Sequence, residues 1–146
     1  MGDELKSIVR DMHEALNRRD IEKAISYFDE NAVMKQPEGT FNGTNEIRRY
    51  LEWLLGTWSE LEFSENALVV EGNRASQQFT ANATSPQGVK GSLLCLSLYE
   101  FENQKVKELN VTYDRLSVAN HFAESMGWLS KKAVSSIVKQ MEKGLR

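Results

Sequence analysis

The sequence predicts an α+β domain in which one long antiparallel sheet curls around helices and leaves a hollow between them. Three observations predict it. Apolar residues recur at helical spacing through the first third of the chain, alternate with polar ones from Glu60 to Asp114, and return to helical spacing from Leu116. Helices that precede and follow an unbroken run of strands indicate α+β architecture, because the strands pair with one another before any helix can intervene. A long, strongly twisted sheet bends, and helices that do not fill its concave side leave a cone-shaped pocket.

The first helix is read over residues 4–17, from Leu5, Ile8, Val9, Met12 and Leu16 on one stripe. Asp20 suits the cap of a second helix, whose apolar face is Ile21, Ala24, Ile25 and Phe28. Ala32–Gln36 reads as a short strand stopped by Pro37, Glu38-Gly39 as a turn and Thr40-Phe41 as its return. Thr44 is placed to cap a third helix, 45–56, with Ile47, Tyr50, Leu51, Leu54 and Leu55 inward and Gly56 at its end. Residues 60–71, 75–85, 90–102 and 105–114 read as four strands joined by hairpins. Leu116, Ala119, Phe122, Ala123 and Met126 form another helical stripe ended by Gly127. Residues 130–145 form a final amphipathic helix with Val134, Ile137, Val138 and Met141 on one side and lysines off it. The organisation is one domain over 1–128 and an appended helix over 129–146, which packs on its own domain or on a second subunit.

The chain has 146 residues, long enough to bury a core without a disulfide or metal, and its single cysteine, Cys95, lies in an apolar run as a small buried hydrophobe. A net charge of −3 and a pI near 5.5 weigh against nucleic-acid binding. The acidic amino terminus does not read as a secretion signal, and no stretch approaches a bilayer span, so the expected setting is cytoplasmic without a membrane role. No three ligands show metal spacing, no glycine-rich phosphate loop occurs, and neither His13 nor His121 is placed with a Ser or Cys as a nucleophilic triad. His13 lies on the first helix between the apolar positions Val9 and Leu16.

Two stretches carry a family resemblance. The first runs from Ile25 through Phe28-Asp29-Glu30-Asn31-Ala32-Val33-Met34 to Pro37-Glu38-Gly39 and Gly43-Thr44-Asn45-Glu46-Ile47; the second is Glu108–Gly127, centred on Tyr113-Asp114-Arg115-Leu116. In this order they resemble the SnoaL-like branch of the nuclear-transport-factor-2-like superfamily, which includes polyketide cyclases and ketosteroid isomerase-like proteins. The resemblance implies a cone-shaped barrel of curved sheet wrapped on three N-terminal helices. It also implies a homodimer through the outer sheet face and, in the catalytic members, chemistry without metal or organic cofactor.

Family cyclases place an acid-base aspartate at about the position of Asp114, which ends the last strand and precedes a helix. A carboxyl held among apolar groups has a raised pKa and can move a proton beside a carbonyl; the same residue equally suits a helix cap. Period-2 alternation puts Glu108, Asn110, Thr112 and Asp114 on one face of that strand and Leu109, Val111 and Tyr113 on the other. Asn110 can then donate to a substrate oxygen or pair across the sheet. Met34 and Gln36 occupy the first strand, where relatives face the cavity with a polar or acidic group. Phe79, rather than its neighbours Gln78 and Thr80, matches an aromatic position of relatives, and Trp53 offers a flat surface for a ring. No strand carries the histidine that the family's cyclases use, nor the second aspartate of its epoxide hydrolases.

Three functions follow as alternatives. One is an isomerase or cyclase that uses Asp114 on a hydrophobic carbonyl compound, with no cofactor. Another is a non-catalytic binder of an apolar metabolite, and the third an interaction module whose pocket is plugged by its own side chains.

Overall fold

The computed structural model describes residues 2–145. Helix α1 (Gly2–Asn17) and the short α2 (Ile21–Ile25) precede a hairpin of β1 (Phe28–Gln36) and β2 (Gly39–Asn42), and α3 (Gly43–Thr57) follows it. Four long strands come next: β3 (Glu60–Glu71), β4 (Arg74–Thr84), β5 (Lys90–Glu102) and β6 (Lys105–Tyr113). The chain closes with α4 (Arg115–Phe122), a 3₁₀ turn (Ala123–Met126) and α5 (Trp128–Met141).

Of the two expected helix caps, one holds and one moves. Asp20 does cap α2, accepting from the Lys23 N–H at 3.0 Å. Thr44, expected as the cap of the third helix, instead lies inside its first turn. Asn42 takes the cap position, and its N–H donates to Glu46 Oε1 at 3.1 Å, so the acid reaches back to the helix start.

The sheet runs β2-β1-β6-β5-β4-β3. β3 to β6 form the expected antiparallel meander, whereas β1 pairs in parallel with β6, so the first strand lies beside the last. β2 and β3 remain as two edges, and the expected barrel is an open, curved sheet. Two irregularities keep the inner face apolar. Leu61 and Phe63 point inward at odd positions, Leu68 and Val70 at even ones, and the break in register between Glu65 and Ala67 supplies the extra residue that reconciles them. A second break, opposite Glu100 and Phe101, does the same for Val106 and Leu109.

Leu5, Val9 and Met12 of α1 and Ile47 and Leu51 of α3 close one end of the concave side against Ala32, Met34, Tyr99, Phe101 and Val106. This end is solid; Val9, Ile47 and Val106 are wholly buried. The other end, under α4, is not filled. Helix α4 sits close on β5 at Gly91, where a Cβ would come within 2.6 Å of the His121 ring, so a side chain there would force the imidazole to shift. The outer sheet face exposes Leu94, Leu96 and Leu98 by 54%, 47% and 46%. α5 packs on α4 and the 3₁₀ turn and leaves Ile137 and Met141 exposed.

Candidate functional site

Between the inner sheet face and helices α1, α3 and α4 lies a cavity of about 730 Å³. Its walls are chiefly hydrocarbon: Met12 and Leu16 from α1, Leu54 from α3, Phe79 and Ala81 from β4, Val111 from β6. Trp58 at the end of α3 meets Phe122 of α4 with centroids 5.0 Å apart, which joins two sides of the roof. Trp53 and Met126, both on the cavity wall, are also exposed to solvent.

Glu38, Tyr50, Arg115, His121 and His13 fall in three places on this wall. Near the β1–β2 turn, the Tyr50 hydroxyl donates to Glu38 Oε2 at 3.4 Å, while Arg115 Nη1 donates to the Pro37 carbonyl at 3.4 Å. Burial, reinforced by the Glu38 charge, pushes the Tyr50 phenol well above its usual range, so it remains a donor. Under α4, His121 Nε2 donates to the Lys90 carbonyl at 2.6 Å, which fixes its tautomer. Against β3 and β4, the His13 ring stacks on Phe63 at 5.2 Å and meets Phe79 edge-on at 4.6 Å. Burial between these rings lowers His13 to about 4, against a smaller opposing pull from Glu65, so the imidazole is neutral near pH 7. Glu65 is itself held by Arg10 at 3.0 Å and by Gln77 Nε2 at 3.1 Å, and the guanidinium keeps its carboxyl below the usual range. Cys95, also on the wall, has its thiol raised by burial to about 11 and is no thiolate nucleophile.

Met34, Gln36, Trp53 and Phe79, singled out in the sequence, all line the cavity. Asn110 and Asp114 do not. From β6 the wall takes Leu109, Val111 and Tyr113, which turns the alternate set, Asn110 and Thr112, to the outer face. Asp114 is exposed and caps α4, its Oδ1 accepting from the Ser117 N–H at 3.1 Å. The expected entry of this carboxylate into the pocket is therefore corrected: the inner face of β6 is its apolar one, and the helix start claims the acid. Replacing Asp114 by Ala is expected to cost about 1 kcal/mol in urea unfolding, as loss of a cap does, and to leave ligand affinity unchanged.

Sequence reasoning passed over His13, Tyr50 and Arg115 as site residues. His13 carried a signal, because it stands four residues after Val9 and three before Leu16, on the buried stripe of α1. The contact of Arg115 with the β1–β2 turn is tertiary and leaves no trace in local spacing.

Among the described residues no group of three or more His, Cys, Asp or Glu side chains converges as metal ligands would. No described helix is long and apolar enough to cross a membrane.

Comparison with known proteins agrees with this architecture. An NTF2-like protein of unknown function from Burkholderia pseudomallei superposes with a TM-score of 0.76 at 18% identity, covering 81% of this chain and 96% of that one. TerC, crystallised with polyporic acid, gives 0.75 at 17% identity, covering 81% and 97%. A protein of ketosteroid isomerase-like fold from Catenulispora acidiphila, in complex with trimethylamine, gives 0.73 at 11% identity, covering 78% and 90%. Among curated proteins, none matches this sequence. The SnoaL-like domain matches residues 9–109, from the middle of α1 to the inner face of β6, and the chain belongs to the SnoaL-like family.

Proposed function

We propose that the protein binds an apolar, ring-bearing small molecule in the cavity between sheet and helices, with Met34, Gln36, Trp53 and Phe79 among its contacts. The observation that carries this reading is the hollow itself: about 730 Å³, within the range of small-molecule sites, walled by hydrocarbon and aromatic side chains with a few polar groups between. The small molecules present in two structures of the same fold, polyporic acid and trimethylamine, support a small-molecule site in this fold. Binding is favoured over isomerase or cyclase chemistry by Asp114, because that carboxylate would have to abandon the cap of α4 to reach a ligand. It is favoured over a plugged interaction module because the aromatic side chains line the hollow without filling it. Native mass spectrometry of the purified protein, incubated with mixed aromatic hydrocarbons and ketones, tests it. A retained non-covalent adduct, released unchanged, is expected; release of a transformed compound, or no adduct at all, contradicts binding without chemistry.

The same reading includes a homodimer. Leu94, Leu96 and Leu98 form an exposed apolar stripe on the outer sheet face, larger than scattered surface leucines. Leu96→Lys is expected to turn a dimer into a monomer in sedimentation while the cavity still binds its ligand. A parent protein that already sediments as a monomer contradicts the dimer.

A further inference from the structure

We infer that His13 is the point at which the cavity hydrogen-bonds an uncharged oxygen of its ligand, so that the site selects ring compounds bearing a hydroxyl or carbonyl over hydrocarbons of the same shape. This rests on the proposal that the cavity takes an apolar small molecule, and adds the group that discriminates among such molecules.

His13 lines the cavity, and its ring is held by Phe63 on one side and Phe79 on the other. Among the described residues nothing hydrogen-bonds either ring nitrogen. Many neighbouring polar groups on the wall are already committed: the Tyr50 hydroxyl to Glu38, His121 to the Lys90 carbonyl, and Thr57 Oγ1 to the Trp53 carbonyl at 2.7 Å. A neutral imidazole offers one donor and one acceptor. A ligand that displaces solvent from the hollow without replacing its hydrogen bonds leaves both unpaired, which is unfavourable, and a ligand oxygen that meets either one removes that cost.

The charges around His13 explain why the oxygen is uncharged. Glu65 on β3 is a carboxylate that acts on the ring. Arg10, one turn earlier on α1, is spent on Glu65, with its Nε and Nη2 donating at 3.0 to 3.3 Å, and Gln77 of β4 donates to the same carboxylate. Arg10 is thereby occupied, and the carboxylate that acts on the ring disfavours an anion beside it. Burial also keeps the imidazole from charging to meet it.

The test compares 2-naphthol with 2-methylnaphthalene, which share a shape and differ by a hydroxyl against a methyl. Isothermal titration of the parent protein is expected to favour 2-naphthol by about tenfold, the worth of one well-placed hydrogen bond. In His13→Phe, which keeps an aromatic ring between Phe63 and Phe79, that preference should vanish, the ratio of the two affinities falling to about one. His13→Gln, which restores a donor and an acceptor, should recover part of it. In the parent, the ring nitrogen resonances of His13 should move on adding 2-naphthol and stay still with 2-methylnaphthalene; this reading needs no variant to fold. An undiminished preference in His13→Phe, or unmoved nitrogens in the presence of bound 2-naphthol, overturns the role of His13 while the cavity proposal stands. A parent that binds neither probe overturns both.

Discussion

Ala81→Trp is expected to abolish ligand binding while leaving the protein folded. Ala81 lies on the inner face of β4, opposite Phe63 of β3 and Leu93 of β5, and contributes to the cavity wall. An indole at this position enters the hollow because the backbone of a central strand cannot yield. Filling existing empty space buries apolar area at about 25 cal/mol per Å², against about 1–3 kcal/mol when a side chain is forced into a packed core. The open volume of about 730 Å³ decides for the first effect, so the melting temperature should hold or rise. Affinity for 2-methylnaphthalene should fall at least a hundredfold, about 3 kcal/mol. Unchanged affinity with a retained fold would place the binding elsewhere.

The second large effect is on stability against pH. Burial lowers His13 from 6.5 to about 4 in the folded protein, so between these values the unfolded chain binds the proton that the folded one refuses. Stability therefore rises with pH across this window and falls as the solution is acidified through it. At about 1.4 kcal/mol for each pH unit separating the two states, the loss on reaching about pH 4 amounts to about 3 kcal/mol. Glu65, held low by Arg10, works in the same direction further down, since its contribution is present above the ordinary carboxylate range and is lost below it. Urea unfolding of the parent at pH 7.5, 6 and 5 should show a steady decline. His13→Phe should remain nearly flat over the same interval, and an equally steep decline in that variant would mean that another group titrates.

The strands were legible because their signal is local. Alternation from Glu60 to Tyr113 and the turn residues between them place β3 to β6 within a residue or two. The parallel pairing of β1 with β6 was not legible, since it joins segments some 75 residues apart and depends on how far the sheet bends. Nor were the bulges at Glu65–Ala67 and opposite Phe101, although the change from Leu61 and Phe63 to Leu68 and Val70 hints at the first. At the site, Gln36 and Phe79 were found from resemblance to relatives, Trp53 from the flat surface it offers a ring and Met34 from its place on the same strand as Gln36, and all four reach the wall. Asp114 was chosen because family cyclases place an acid-base aspartate at about that position, and Asn110 because alternation puts it on the same face of the strand. In a hollow suited to an apolar ligand the inner face of a strand is its apolar one, and Leu109, Val111 and Tyr113 occupy it. His13 was visible as a polar residue on an apolar helical stripe, but its meaning came from Phe63 and Phe79, which the fold brings from two strands.

The most direct measurement is a crystal of the protein soaked in 1-bromonaphthalene, with data collected at the bromine edge. An anomalous peak enclosed by Leu54, Trp58, Phe79 and Val111 is expected. A map without bromine there, in which side chains of α3 and α4 meet the sheet and leave no space, would contradict a ligand-binding cavity.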